Sequence, residues 1–390
     1  MKPLPLRSFR LQNFKAVRDS GAVHFGPLTA FIGNNGSGKS SLVEGLETFR
    51  DIVLEGLDTA LHRWRGFEYV WNQAVQHDLR RPEGHRPGHS NPMTFRLDLS
   101  SGAARFEVRQ TINMGEGGNG LFIQEEQLRR RGQRSGGGRL IRDDQGKQTV
   151  TSSPPKDSVS HPTLLNDGQS LFRDWFGGFL EQWQFLNLVP DAMGQPMPQQ
   201  RAGGRVRLAR NGSNVAEYLN EIRRLDVAAF DGILDSLRYV LPFTLDLQPT
   251  LTSELERAFY LRLKEEDFEV PGWLLSTGTL RILALLACLR HPEPPPLLVV
   301  EEVENGLDPR TLHLLVEEIR AALYEGKTQV ILTTHSPYLL DLLDLSHIVV
   351  VERVDGQPTF TRPDKAALAQ WTKSFSPGRL YTMGRLTRGD

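Results

Sequence analysis

Apolar positions along this chain recur with two periods, and the changes between them mark out its elements. Leu28-Thr-Ala-Phe-Ile32 is a short apolar run of the kind that forms a buried strand. Leu42, Val43, Leu46, Phe49 and Val53 then recur at helical spacing, and that helix is expected to run to about Trp64. Before it, Leu6 to Val17 and Ala22 to Phe25 read as two short strands. Met93 to Leu99 and Arg105 to Ile112 alternate apolar and polar residues, which predicts a half-buried antiparallel pair. Leu121 to Leu128 fits either period. Phe172 to Phe185 is aromatic-rich and predicted helical, ending in Leu186-Asn-Leu-Val-Pro-Asp191. Val215 to Leu225 and Val227 to Val240 read as amphipathic helices, and Phe243 to Leu247 and Ala258 to Lys264 as strands.

The last third is built of buried runs. Leu280 to Leu289 is a helix for which Ser276 is placed as N-cap. Leu297-Leu-Val-Val300 is a fully apolar strand that runs into Glu301-Glu302. Asn305-Gly-Leu-Asp-Pro309 turns the chain into a helix bearing Leu312, Leu315, Val316, Ile319 and Leu323. Gln329 to Thr334 is another buried strand, ended by His335-Ser-Pro337. Ile348 to Arg353 and Thr359 to Thr361 read as a hairpin about Asp355-Gly356, and Ala366 to Asp390 as a short helix followed by an extended segment. Buried parallel strands between helices describe an α/β fold, and such a sheet places ligands at the carboxyl ends of its strands.

Composition narrows the partners. With 390 residues and 39% hydrophobic content the chain can bury one large core or two. Its net charge is -1, so any nucleic-acid binding has to come from local patches. Two basic stretches stand out. Leu128 to Lys147 carries Arg129, Arg130, Arg131, Arg134, Arg139, Arg142 and Lys147 against Asp143 and Asp144; Gly194 to Asn211 carries Arg201, Arg205, Arg207 and Arg210. Solvated loops and contacts to a phosphate backbone both fit them. Arg80 to Pro92 reads as an exposed loop, Glu116 to Gly120 as a turn and Thr151 to His161 as a Ser/Pro-rich connection. The single cysteine, Cys288, excludes an intramolecular disulfide and fits a buried thiol in a cytoplasmic protein. Met1 to Leu11 has no apolar core of a signal peptide, and no apolar stretch is long enough to cross a membrane, so none is expected to be crossed. There is no internal repeat and no sustained heptad pattern.

Within this frame lies a strong chemical signal. Gly33, Gly38, Lys39 and Ser40 match the phosphate-loop pattern G-x-x-x-x-G-K-S/T, and the loop Gly33-Asn34-Asn35-Gly36-Ser37-Gly38-Lys39-Ser40-Ser41 sits between a predicted strand and a predicted helix, as the pattern requires. Glycines let the backbone wrap a phosphate chain and aim its N–H groups inward, and the helix adds its positive end. Lys39 is suited to the β- and γ-phosphates, and the Ser40 hydroxyl to Mg²⁺. A four-residue apolar strand ending in Glu301-Glu302 is a Walker B pattern, and His335 closes the next strand.

Five stretches, in this order, resemble the ABC-type ATPases of the RecF, SMC and OLD group, and more narrowly the RecF-like ATPases with an AAA-21 type domain. Phe9 to Phe31, with Asn13-Phe14-Lys15, resembles their opening strands, and Gly33 to Ser41 their Walker A. Leu275-Ser-Thr-Gly-Thr279 resembles their signature, Leu297 to Pro309 their Walker B and D-loop, and Thr333-Thr-His-Ser336 their switch histidine. The resemblance implies a P-loop NTPase head in which N- and C-terminal lobes join one sheet system around an inserted β-rich arm and helical lobe. The expected boundaries are 1–56 for the Walker A lobe, 57–270 for the insertion, 271–355 for the second lobe and 356–390 for a tail.

The resemblance also implies roles. ATP is held by Gly33 to Ser41, and Mg²⁺ by Ser40 and Glu301. Ser276 and Gly278 of a second copy cap the γ-phosphate across an ATP-dependent homodimer, and Asp308 runs along that interface. Glu302 orients water and His335 senses the γ-phosphate. Gln73, Gln76, Gln182 and Gln184 compete for the Q-loop role. Two positions depart from the pattern: Glu301 where Asp is usual, which implies slow turnover, and Val303 where Pro is usual. The implied partner is DNA, in repair or phage defence. The alternative is an ATP-gated subunit of a toxin–antitoxin or anti-phage pair, whose nuclease or toxin is encoded by a neighbouring gene. The segment after His335 is too short for the nuclease domain of OLD-type proteins.

Overall fold

The computed structural model describes residues 5–72, 91–101, 104–114, 120–130, 137–142, 148–152, 172–200, 204–253 and 255–386. The chain divides into two compact units, one of residues 1–26, 31–183 and 349–362, the other of 27–30, 184–348 and 363–390.

The first unit carries an antiparallel sheet. Its strands run in the order Val17–Asp19, Leu6–Phe14, Met93–Ser101, Ala104–Met114, Leu121–Arg130, Gly137–Arg142 and Gln148–Ser152, with Val23–His24 also paired to Leu6–Phe14. Alternation decides which face is buried. Phe9, Leu11, Phe95, Leu97, Val108 and Leu128 are buried, whereas their neighbours Arg10, Arg96 and Arg109 reach the surface. The helix Lys39–Glu55 buries Leu42, Leu46, Phe49 and Val53, and the Phe49 ring packs 6.0 Å from Phe95 and 6.3 Å from Phe172. That helix is shorter than expected. Gly56 adopts φ 90 and closes it, and a separate helix Leu57–His62 follows.

The opening strand is shorter too. Asn13 and Lys15 have φ 58 and φ 47, so the chain reverses there and Phe14 pairs with Val17. Lys15 uses the turn to reach Glu44 at 2.7 Å and to lie 3.5 Å over the Trp64 ring. Leu121 to Leu128 resolves as a strand. The hairpin about Asp355-Gly356 forms as expected, Ile348–Val354 against Gln357–Thr361.

The second unit is layered α/β. Gln184–Leu186, Leu297–Val300 and Gln329–Thr334 run parallel in that order, with Leu28–Ile32 the next strand. The first of these corrects an expectation. The helix at Phe172 ends at Leu180, and Gln184–Leu186 pairs Phe185 with Val299 and Leu186 with Val300. The helices Val215–Leu225, Val227–Val240, Thr277–Leu289 and Pro309–Glu325 supply Leu219, Ile233, Leu283, Leu286 and Leu315 to one core with Leu298 and Val330. Burying apolar area on this scale, at about 25 cal/mol per Å², drives the folding. Asp246–Leu251, three residues later than predicted at its start and four at its end, pairs with Ala258–Lys264 in a small antiparallel sheet. The tail holds a helical turn, Trp371–Lys373, and a helix, Pro377–Thr382. Cys288 is wholly buried, and burial pushes its thiol up to about 12 despite a hydrogen bond with Tyr218. Among the described residues no helix is long and apolar enough to cross a membrane.

Candidate functional site

The first unit holds the phosphate loop, and the sequence there leaves little freedom. A Cβ on Gly33 would overlap the Val351 carbonyl oxygen, so only glycine lets the loop leave its strand so close to the hairpin. Gly38 has φ 111, and a Cβ there would sit 2.6 Å from the Pro358 ring. Asn34, Asn35 and Gly36 are exposed at the tip, while Ser37, Gly38 and Lys39 are buried and Ser40 and Ser41 half-buried. Ser37 N–H donates to the Asn34 carbonyl at 3.1 Å, but the Ser37 hydroxyl is buried with no hydrogen-bond partner. The Lys39 ammonium folds back to donate to the carbonyls of Gly33 at 2.5 Å and Asn34 at 3.1 Å.

The helix Lys39–Glu55 has no side-chain cap and no acid in its first turn. Some helices of the chain are capped, Ser276, Asp308 and Ser336 each accepting a backbone N–H, while others such as Val215–Leu225 are not. An uncapped, positive helix end behind a glycine-cradled loop, with a lysine turned into it, fits a phosphate group.

The acidic half lies in the second unit. The Glu301 N–H donates to the Leu186 carbonyl at 2.9 Å, and its buried carboxylate accepts from Arg210 at 2.7 Å. Glu302 is exposed and stands at φ 47, a left-handed conformation that non-glycine residues rarely adopt. Its N–H donates to Thr333 Oγ1 at 2.9 Å, and its carboxylate accepts from Asn305 at 2.5 Å. Arg281, one turn into the signature helix, donates to the carbonyls of Leu188 at 2.8 Å and Glu302 at 3.4 Å. Glu304 is buried. Its Oε1 accepts the His335 backbone N–H at 2.6 Å and lies 3.0 Å from His335 Nδ1, while its Oε2 has no hydrogen-bond partner. The His335 ring is half exposed, with Nε2 on the side away from Glu304.

The segments expected to be signature and D-loop meet in the same unit. A Cβ on Gly278 would fall 2.5 Å from the Gly306 carbonyl oxygen. Ser276 Oγ caps its helix through Thr279 N–H at 3.1 Å. Asp308 caps the next helix through Arg310 and Thr311, and the Thr311 hydroxyl bond first of all holds its carboxyl below the usual range.

The predicted residues thus fall on two groups of elements. Gly33 to Ser41 form one; Ser276, Gly278, Glu301, Glu302, Asp308 and His335 belong to the other, where hydrogen bonds link the turn after Glu302 to the strand ending at His335. Pattern reading offered Arg210 only as a phosphate-backbone contact and Thr333 only as part of the stretch around His335, and assigned no role to Arg281 and none to Glu304 as partner of His335. The basic loop and the acidic run after Val300 were visible, but not which arginine meets which acid. Arg205 ion-pairs with Glu293 at 3.1 Å, so like Arg210 it is engaged within the fold. The Gln184 amide donates to the Leu208 carbonyl at 2.7 Å and that of Gln182 to Gly178 at 3.1 Å. Gln73, Gln76, Arg201, Arg131, Arg134, Lys147, Asp143 and Asp144 lie outside the described residues, as does most of Arg80 to Pro92, Glu116 to Gly120 and Thr151 to His161. For Mg²⁺, the Ser40 hydroxyl and Glu301 carboxylate are oxygen donors of the right kind. Among the described residues no three His, Cys, Asp or Glu side chains are grouped to hold a metal by themselves.

Residues 28–341 match the family described as "AAA domain, putative AbiEii toxin, Type IV TA system". Nod factor export ATP-binding protein I of Sinorhizobium fredii (strain NBRC 101917 / NGR234) is 33% identical over 170 residues, 43% of this chain and 46% of that protein. The protein of the same name from Rhizobium etli (strain ATCC 51251 / DSM 11541 / JCM 21823 / NBRC 15573 / CFN 42) is 34% identical over 152 residues, 38% of this chain and 44% of its own length. The chain therefore spans less than half the length of these relatives. Among solved structures, an Smc head bound to the C-winged helix domain of ScpA superposes with a TM-score of 0.54 at 13% identity, covering 93% of this chain and 99% of that one. An Smc head with an extended coiled coil, bound to the C-terminal domain of ScpA derived from Pyrococcus furiosus, gives 0.50 at 10% identity over 95% and 98%. At such identity the likeness is one of fold. The chain belongs to the AAA-domain family of residues 28–341, and its fold is that of an ABC-type, SMC- and RecF-like ATPase head.

Proposed function

We propose that this chain binds and hydrolyses ATP, and that two copies close on two nucleotides in a cycle serving DNA repair or phage defence. The observation that carries the reading is the uncapped helix Lys39–Glu55 behind a glycine-cradled loop with Lys39 turned into it. Lys39 exchanges its two loop carbonyls for the β- and γ-phosphates, a charge-assisted and therefore stronger bond. The loop N–H groups and the helix end hold the remaining phosphate charge. Mg²⁺, when bound, screens the triphosphate, with Ser40 and Glu301 as its protein ligands. Arg210 holds the Glu301 carboxylate from the other side. Glu302, freed from the ladder by its left-handed backbone, orients water, and Asn305 steadies its carboxylate. His335, tethered by Glu304, senses the γ-phosphate. Ser276 and Gly278 of the second copy cap that phosphate, and Asp308 lines the dimer interface.

The family's description favours a second reading, an ATP-gated subunit of a toxin–antitoxin pair whose partner carries the effector. Export, named in the rhizobial relatives, rests on less than half of either chain, and the large β-rich region between the two motif groups argues for the RecF-like branch. A cytoplasmic location goes with either of the two favoured readings.

The test is Glu302→Gln in Mg²⁺ and ATP, followed by light scattering and phosphate release. The variant keeps the shape and hydrogen-bonding reach of Glu302 and loses its basicity. Hydrolysis should fall about 10²-fold or more while ATP still binds, so dimers accumulate. Adding Ser276→Arg should disperse them, and Lys39→Ala should bind no ATP at all. A Glu302→Gln protein that stays monomeric with saturating ATP sinks the dimer model. Unchanged hydrolysis moves the catalytic role elsewhere.

A further inference from the structure

The outer face of the antiparallel sheet carries a charge arrangement that neither nucleotide chemistry nor packing accounts for. The register places Arg10 opposite Arg96, Arg96 opposite Arg109, and Arg109 opposite Gln127. Three arginines therefore occupy one rung on three adjacent strands. Like charges directly opposite one another destabilise a sheet, so packing alone gives no reason for the row. The next rung on the same face reads Ser8, Asp98, Glu107 and Arg129. Both rungs line a cavity of about 370 Å³.

Among the described residues of this rung, the first strand's arginine is the one held by hydrogen bonds to a carboxylate. Arg10 is held by Asp19 through two hydrogen bonds. Arg109 forms a long ion pair with Glu125 at 3.8 Å, and its Nε is buried without a hydrogen-bond partner. Arg96, exposed between the two, makes no ion pair or hydrogen bond among the described residues. Desolvation and then the charges of Arg109 and Arg10 lower its pKa from the ordinary arginine value, as expected of a cation among cations.

We propose that this rung is a nucleic-acid contact surface, in which Arg96 and Arg109, flanked by Arg10 and Arg129, grip phosphates of a DNA backbone. Neighbouring strands lie about 4.8 Å apart, so the three arginine positions span about 10 Å across the sheet in a row. A row fits a ligand whose charge repeats along a line. Duplex DNA presents one phosphate per about 1.7 Å of axis, so several fall within that length. Arginine suits the task, since its fork binds phosphate oxygens in pairs. Asp98 and Glu107, one rung over, give the row an acidic edge that discourages sideways drift of the backbone. This surface replaces the Gly194 to Asn211 loop as the leading candidate, because Arg205 and Arg210 of that loop are already paired with Glu293 and Glu301.

The inference rests on the DNA-acting reading for its partner, and the experiment separates the two. Fluorescence anisotropy of a labelled 30-bp duplex, a single strand and an RNA duplex is measured over a salt series for the full chain and for Arg96→Gln/Arg109→Gln. The double variant should bind the DNA duplex more weakly whatever its sequence, with a slope of log affinity against log salt smaller by about 1.8, or 0.9 for each phosphate no longer neutralised. Arg96→Lys keeps the charge and should lose the least. ATP affinity, read in parallel, should be unchanged, which shows that the double variant is folded. An unchanged slope beside normal wild-type DNA binding overturns the surface and leaves the DNA reading standing. A wild-type chain that binds no nucleic acid overturns both and leaves the ATPase reading untouched.

Discussion

Replacing Glu304 by alanine tests whether the turn after Leu297–Val300 sets His335, the residue proposed to sense the γ-phosphate. The Glu304 carboxylate is buried, and its Oε1 accepts the His335 backbone N–H at 2.6 Å and lies 3.0 Å from His335 Nδ1. Alanine removes that oxygen and with it both contacts. Leaving the buried N–H without a partner costs about 1–3 kcal/mol. Against this, Glu304 Oε2 is already buried with no partner, so the same change relieves a desolvation penalty of comparable kind. The net loss of stability should be about 1–2 kcal/mol, a modest shift of the urea midpoint. Glu304→Gln keeps an acceptor for the N–H and offers an amide where Oε2 was stranded, so its stability should stay within about 1 kcal/mol of wild type.

Both variants, however, take away the charge that orients the imidazole. If that orientation matters for ATP turnover, kcat should fall about 10-fold or more in both, the usual scale for losing a partner that orients a ligating or reacting group. KM should move little. Steady-state hydrolysis alongside urea denaturation separates the two effects. Wild-type kcat in both variants refutes the reasoning, and loss in alanine alone assigns Glu304 to holding the backbone, not the ring.

Two further outcomes follow from particular contacts. Gly38→Ala should lower both thermal stability and ATP affinity, since φ 111 disfavours any side chain and the new Cβ meets the Pro358 ring at 2.6 Å; the strain is of order 1–3 kcal/mol, and unchanged melting with normal ATP binding would contradict it. Acidification should destabilise the fold through His291, whose Nδ1 accepts from the Glu293 N–H at 2.9 Å and whose ring stacks on Tyr218. Burial, then the charge of Arg205, brings its pKa down from 6.5 to about 4. Between those values the unfolded chain binds the extra proton, so this contribution is intact above pH 6.5 and is lost as pH falls towards 4. Urea midpoints at pH 7 and pH 5 should differ, and His291→Gln should flatten the difference.

What the sequence made legible is what a local period or a fixed spacing encodes. The limits of Val215–Leu225 and Val227–Val240 can be read from their apolar faces, and Ser276 from its position before a helix. Gln184–Leu186 could not be read this way. Three residues have no period of their own, and they are a strand because the backbone of Leu297–Val300 lies beside them. The end of the first helix at Gly56 was readable in principle, since a glycine ending an apolar stripe is a stop signal, but the apolar residues of the next helix continue the pattern. The candidate site divides the same way. Gly33, Gly38 and Lys39 announce themselves within eight residues, whereas Arg210 reaches Glu301 across 91 positions and Glu304 reaches His335 across 31. Pairings of that range depend on packing, which no window of sequence contains.

The single cysteine offers a consequence of a different kind. Cys288 has no exposed surface, and its thiol sits far above neutral pH, so a thiol reagent cannot reach it while its helix remains packed. Its rate of alkylation therefore clocks how often that core opens, in the native protein and without any label. Because the thiol lies in the helix Thr277–Leu289, twelve residues past Ser276, the same clock run with and without nucleotide reads whether nucleotide steadies that helix.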